Sequence, residues 1–174
     1  QELETIDKWI LSKYHHLIKS VTASYEEYDL NKVVKALVEF VSEDLSNWYI
    51  RRSRKRFWGS EITTNKKAVY QTTYEVLKGV CLLAAPITPF VTEEIYQNLT
   101  GEESVHLAYF PKAEEEKIDL ELENRMDTVR TLVSLGRKIR EEEKIKVRQP
   151  LSEVILDGRK QEELEEYTAL IQEE

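Results

Sequence analysis

Apolar residues recur along this chain at spacings of three, four and seven, which place side chains on one face of an α-helix, and no other feature constrains the fold as strongly. Leu3, Ile6, Ile10, Leu17 and Val21 form one such stripe and predict a helix over 3–25. Val33, Leu37, Val41, Leu45 and Trp48 form a second, opened by Asp29 or Asn31, either suited to capping. A third runs from Thr64 or Asn65 through Val69, Thr73, Val76, Val80 and Leu83 to the break at Pro86. Thr88 and Pro89 start a short fourth helix, which Gly101 ends and which turns Ile95 and Leu99 inward. A fifth covers 120–143, with Leu122, Met126, Val129, Val133 and Ile139 inward. Residues 104–111 read as more extended, Val105, Leu107 and Tyr109 alternating with their neighbours. A turn at Pro150 feeds a short strand over 153–156, and Gly158 breaks the chain before a last acidic helix. The expected fold is mainly all-α, a bundle of four to five helices over 1–143 with a small, truncated C-terminal α/β appendage over 144–174.

Charge sharpens this picture. The net charge is −8, yet "NWYIRRSRKRFW", Asn47 to Trp58, packs five basic side chains into 51–56. Between Arg51 and Lys67 seven Lys or Arg face one acid, Glu61, a local balance of +6; the remainder therefore carries −14, the difference between the two. An acidic body with one basic stripe resists non-specific polyanion binding while offering phosphate a single place to dock. On a helical wheel the face of Leu37, Val41 and Trp48 leads on to Arg51, Arg52 and Lys55. Charges are costly to bury unpaired, so the second helix is expected to run past the core and project its basic end into solvent. Complementing a helix C-terminus takes one or two cations, and five exceed that need. Arginines interleaved with Phe57 and Trp58 suit single-stranded RNA, whose phosphates need cations and whose unstacked bases need flat platforms.

Other chemistries fail on motif. The longest uncharged run, Gly79 to Thr92, is too short for a bilayer and holds two prolines, so no membrane is expected. No basic-then-apolar leader opens the chain, and Cys81 reads as a lone core thiol in a reduced, cytoplasmic setting. A di-iron bundle needs two Glu-x-x-His pairs, and only Glu103 with His106 is so spaced, in a loop. His15 and His16 are expected at the edge or surface of the first helix. With no glycine-rich phosphate loop, nucleophile elbow or His-Glu-x-x-His, neither a metal nor a catalytic residue is expected.

Four blocks stand in order: "WILSKYHHLI" (9–18), "DLSNWYIRRSRKRFW" (44–58), "AAPITPFVTEEIYQNL" (84–99) and "IKVRQPLSEV" (145–154). Together they closely resemble the anticodon-binding region of isoleucyl-tRNA synthetases, a family of class I aminoacyl-tRNA synthetases, over nearly the whole chain. The resemblance implies a helical bundle that grips the anticodon stem-loop of tRNA(Ile), attached in a cytoplasmic ligase to catalytic and C-terminal domains. The family activates isoleucine with ATP and Mg²⁺ through His-Ile-Gly-His and Lys-Met-Ser-Lys-Ser signatures. This sequence lacks both, as it lacks the editing domain and any C-terminal zinc-bearing piece. The resemblance also implies roles. Arg51, Arg52, Arg54, Lys55 and Arg56 would contact phosphates or stack on loop bases, and Lys66 and Lys67 would extend the footprint along the stem. Trp58 is either a stacking platform or a cap on the core. Asn47 can read a base edge, although capping or packing is the simpler use. Arg148 either touches tRNA or, the favoured reading, pairs with Glu141. The valyl, leucyl and methionyl enzymes share the bundle and are the near alternatives; a helical protein-interaction module that docks an acidic partner is the remote one.

Overall fold

The first stripe forms α1, Thr5–Glu26, which buries Ile6, Trp9, Ile10, Leu17, Ile18 and Val21 while Leu3 stays half-buried ahead of it. The computed structural model describes residues 3–58, 60–146, 149–155 and 167–172. After a turn at Tyr28 (φ 58°), the Asp29 carboxylate accepts the Lys32 N–H at 3.1 Å and opens α2, Leu30–Glu39. Phe40–Ile50 is then π-helical, and the chain tightens again into α3, Arg51–Trp58. The i→i+5 hydrogen bonding of the π stretch widens each turn. Its buried side chains are Phe40, Asp44, Leu45, Trp48 and Tyr49, followed by Ser53 in α3. Phe40, seven residues after the buried Val33, is inward, whereas Val41, expected inward, is exposed.

Thr63 caps α4, Thr64–Ala84, which starts at Thr64 as expected, the Thr63 hydroxyl accepting the Lys66 N–H at 3.1 Å. Gly79 lets α4 approach α1: a Cβ there would lie 1.8 Å from the Tyr14 hydroxyl and 2.3 Å from its ring carbon. Pro89 starts α5, Pro89–Thr100, and Gly101 ends it at φ 72°. The inner face of α5 is Thr92 and Tyr96, whereas Ile95 is exposed and Leu99 half-buried. Tyr96 decides this orientation by joining Cys81, Ala85 and Val105 in a small core, with its phenol on Glu102. Residues 104–111 curl into a 3-10 turn, Val105–Leu107, instead of alternating. The Glu93 carboxylate accepts the Val105 N–H at 2.7 Å and the Ser104 hydroxyl at 3.1 Å, so only Val105 is buried while Leu107 and Tyr109 face solvent.

The following strap, with a 3-10 turn at Glu115–Lys117, returns along α1. Asp119 N–H donates to Ser12 Oγ at 2.8 Å, and Glu114 N–H to His15 Nδ1 at 3.1 Å. His15 is therefore buried, contrary to its expected edge position, while His16 is exposed. Burial and the nearby Lys117 ammonium hold the His15 pKa below the usual imidazole value, against the opposing pull of Glu114, Glu75 and Glu116.

Two compact units are present, Gln1–Asp119 and Leu120–Glu174. In the second, α6 (Leu120–Glu142) buries Met126, Val129 and Val133 and packs with α7 (Thr168–Gln172), while Ile139 is exposed. Tyr167 is buried, and Arg140 Nη1 donates to the Gln149 carbonyl at 2.8 Å. There is no strand among the described residues: 153–155 are irregular, and Leu156, Arg148 and Gly158 lie outside them.

One polar hub joins the first unit. Asp7 is fully buried in the apolar stripe of α1. Its carboxylate accepts Arg56 Nη1 at 2.8 Å, Arg56 Nη2 at 2.7 Å, the Tyr49 hydroxyl at 2.7 Å and the Glu4 N–H at 3.0 Å. Glu4 adds a second carboxylate 3.3 Å from Arg56 Nη1, and Asn65 at the start of α4 bonds both Arg56 Nε and Glu4. Burial would lower the Arg56 pKa, but hydrogen bonds and charge from Asp7 raise it overall; burial and the same carboxylate push the Tyr49 phenol upward.

Three outcomes are expected. Removing one partner of a buried pair strands the other, so Arg56→Ala should cost about 3–5 kcal/mol in urea unfolding, seen as a lower midpoint at unchanged slope. Gly79→Ala should destabilise by about 1–3 kcal/mol through overpacking against Tyr14, although alanine is the better helix former. Because the folded His15 pKa is depressed, the unfolded chain takes up the proton first as pH falls below about 6.5, and stability drops from there. Melting curves at pH 7.5 and 5.5 should differ less for His15→Asn than for the natural chain.

Candidate nucleic-acid interface

The hub sets the rotation of α3. At about 100° per residue, an inward Arg56 places Arg54 roughly 160° away and Trp58 roughly 200° away, adjacent at i,i+4 on the opposite face. Arg54 and Lys55 are exposed, and Trp58 is 79% exposed, which settles it as an open ring rather than a cap on the core. Ser53 is buried beside Arg56.

The two arginines at the start of α3 lie back along the π stretch. Arg51 Nε donates to the Asn47 carbonyl at 2.9 Å, and the Arg52 guanidinium sits 4.2 Å from the Trp48 ring centroid. Both are half-buried. Asn47 is exposed, with its amide donating to Glu43 at 3.3 Å. The five basic residues therefore have three different placements: Arg56 locks the fold, Arg51 and Arg52 are laid along the helix, and Arg54 and Lys55 extend into solvent. The expectation that all five form one outward surface fails at Arg56, because the buried carboxylate of Asp7 claims it.

α4 supplies the other wall, and α3 and α4 pack directly. Lys67 is exposed, while Lys66 is half-buried with its ammonium 5.8 Å from the Tyr70 ring centroid. Tyr70 meets Phe57 edge to face, 5.2 Å between centroids at 85°, and its hydroxyl donates to the Phe57 carbonyl at 3.4 Å. Tyr70 escaped the sequence reading because it lies on the outer side of an amphipathic helix, where an aromatic carries no periodic signal. Asp7 did leave a trace, an acid within the stripe between Ile6 and Ile10, but nothing local names its partner.

A second charged cluster lies along α1. Donor atoms of His15, Glu75 and Glu114 fall within 4.8 Å of one another, as in a metal site. His15 Nδ1, however, accepts the Glu114 N–H, so the neutral ring carries its proton on Nε2 and has no lone pair left for a metal. Lys117 Nζ, 2.8 Å from Glu114 and 3.7 Å from Glu75, supplies the cation between the two carboxylates. These residues hold an ammonium, and their chemistry is structural.

Comparison with known proteins agrees with the cationic surface. The model of the family described as the anticodon-binding domain of tRNA ligase matches residues 7–155. The isoleucine–tRNA ligase of Chlamydia trachomatis serovar D is 46% identical over 99% of this chain and 17% of the relative. Those of Chlamydia pneumoniae and Cytophaga hutchinsonii are 47% and 46% identical over 89% and 86% of the chain and 15% and 14% of the relatives. The chain thus spans about one sixth of the length of these curated relatives. With the match running through α1–α6, the chain belongs to the family of anticodon-binding domains of tRNA ligases.

Proposed function

We propose that this domain binds the anticodon stem-loop of tRNA(Ile) within a cytoplasmic isoleucine–tRNA ligase that also carries catalytic and C-terminal domains, steadying the tRNA while the catalytic domain acts at its far end. One observation carries the reading: Arg54, Lys55 and Trp58 stand together in solvent at the end of a long helix whose other face is fixed to the core. Cations beside an open aromatic ring match the two needs of an unpaired RNA loop, phosphate neutralisation and base stacking. Lys66 and Lys67 continue the surface onto α4 and give the stem its contacts, while Arg51, Arg52 and Asn47 border it. Arg56 takes part only by holding α3 in phase. All of these residues lie in the first unit, Gln1–Asp119.

ATP and Mg²⁺ belong in this reading to the catalytic domain. The residues here do not fit them: the sequence has no glycine-rich phosphate loop, and the two carboxylates beside His15 already share the Lys117 ammonium. The domain's contribution is binding energy and orientation, with no bond made or broken on it.

The test is fluorescence anisotropy of the 174-residue chain with a labelled isoleucine-tRNA anticodon stem-loop at two salt concentrations, beside a scrambled loop. Each lost contact to a single-stranded phosphate removes about 0.7 from the slope of log affinity against log salt. Arg54→Ala with Lys55→Ala should therefore weaken binding and flatten that slope by about 1.4, with an unchanged melting temperature because both side chains are exposed. Equal affinity and slope in the double variant would overturn the assignment.

A further inference from the structure

Building on that reading, we propose that Tyr70 is a second base-stacking platform, taking an unpaired nucleobase of the bound RNA loop separately from Trp58. Two contacts hold its ring, and its helix is itself packed on three neighbours. The hydroxyl is tied to the Phe57 carbonyl at 3.4 Å, Phe57 braces the ring at 85°, and the helix carrying it is packed on α1, α3 and α5. Yet the residue stays 52% exposed. An aromatic side chain restrained by a neighbouring ring and a hydrogen bond, with half of its surface still open, has already lost the freedom that stacking would cost, which is what a recognition platform needs.

The surroundings select the occupant. Lys66, one turn earlier, lies at the outer range of a cation–π contact, 5.8 Å from the ring centroid, and Lys67 beside it is exposed. Trp58, which follows Phe57 directly in sequence, is a further exposed ring. Glu61 is the single acid between Arg51 and Lys67. An apolar protein partner would gain little from this frame of ammonium and guanidinium groups. A nucleobase gains a π-face from Tyr70, and its phosphate gains Lys66 or Lys67, which can leave the ring for the stronger anion. The simpler account, that Tyr70 only covers the α3–α4 junction, explains the Phe57 contact but makes any bulky apolar side chain equivalent.

That difference is the experiment. Tyr70→Leu keeps the cover and removes the π-face; Tyr70→Phe keeps the face and removes the hydroxyl bond. The probe is the isoleucine-tRNA anticodon stem-loop with 2-aminopurine at single loop positions, titrated into the 174-residue chain. Stacking of one base contributes enough that Tyr70→Leu should weaken binding about tenfold, with the salt slope unchanged because no phosphate contact is lost. One 2-aminopurine position should lose its quenching in Tyr70→Leu and keep it in Tyr70→Phe, with both variants melting like the parent. Full affinity and full quenching in Tyr70→Leu would overturn the platform while leaving the tRNA reading intact. Weakened binding with a flattened slope or a lowered melting temperature would assign Tyr70 to packing and overturn it as well. A parent chain without salt-dependent binding to the loop would remove the underlying reading, and the platform with it.

Discussion

The rotation of α3, and with it the whole cationic helix end, depends on one buried carboxylate. Asp7 has no exposed surface and sits among Ile6, Trp9 and Ile10. A carboxylate in that place is tolerable only with its lone pairs filled and its charge matched. Arg56 meets both needs with two parallel N–H donors, a geometry lysine cannot reproduce. Tyr49 and Glu4 N–H complete the shell. The partners come from the π stretch, from α3 and from the head of α1, and Asn65 extends the hub to α4. A helix end that would otherwise fray in solvent is clamped in one rotation. The outward set, Arg54 and Trp58, is the geometric complement of the inward one.

The π stretch is the second half of the same constraint. On a regular α-helix Leu45 and Tyr49 would stand roughly 140° and 180° from Phe40, off its face. With wider turns, Phe40, Asp44, Leu45, Trp48 and Tyr49 form the buried side. Tyr49 thereby reaches Asp7, and α3 resumes with Ser53 and Arg56 inward. The buried Asp44 finds Lys13 of α1 at 3.3 Å, so a second acid–base pair steadies the widened segment.

The parts of this architecture that were legible in the sequence are the local ones. Asp29, Pro89 and Gly101 act through their own backbone chemistry, and the helices they bound lie where periodicity places them. Errors arose where a distant partner outweighs the period. Ile95 faces out because Tyr96 claims the core, and His15 faces in because the 114–119 strap brings its own donors to α1. Of the candidate site, the cationic run and Trp58 were visible as composition, whereas the division of labour among the five basic residues was not. Arg54 and Arg56 are chemically identical in the sequence. Only Asp7, 49 residues before Arg56, tells them apart.

The placement of Lys66 and Lys67 argues for an anion from an independent direction. Both stand in the first turn of α4, next to a cap of Thr63, with no acid in that turn. The N-terminal end of a helix carries partial positive charge, so cations there are unfavourable by about 0.3–1 kcal/mol each in the absence of a counter-charge. Lys55 and Arg56 in the last turn of α3, by contrast, agree with their helix dipole. A chain that needed charge only for solubility would place acids at the start of α4, as it does at the start of α6 with Glu121 and Glu123. A bound phosphate reverses the sign of the unfavourable contribution, because the same two ammonium groups and the helix end then all face an anion. Under the proposed reading, the local cost in the free domain becomes part of the affinity of the complex.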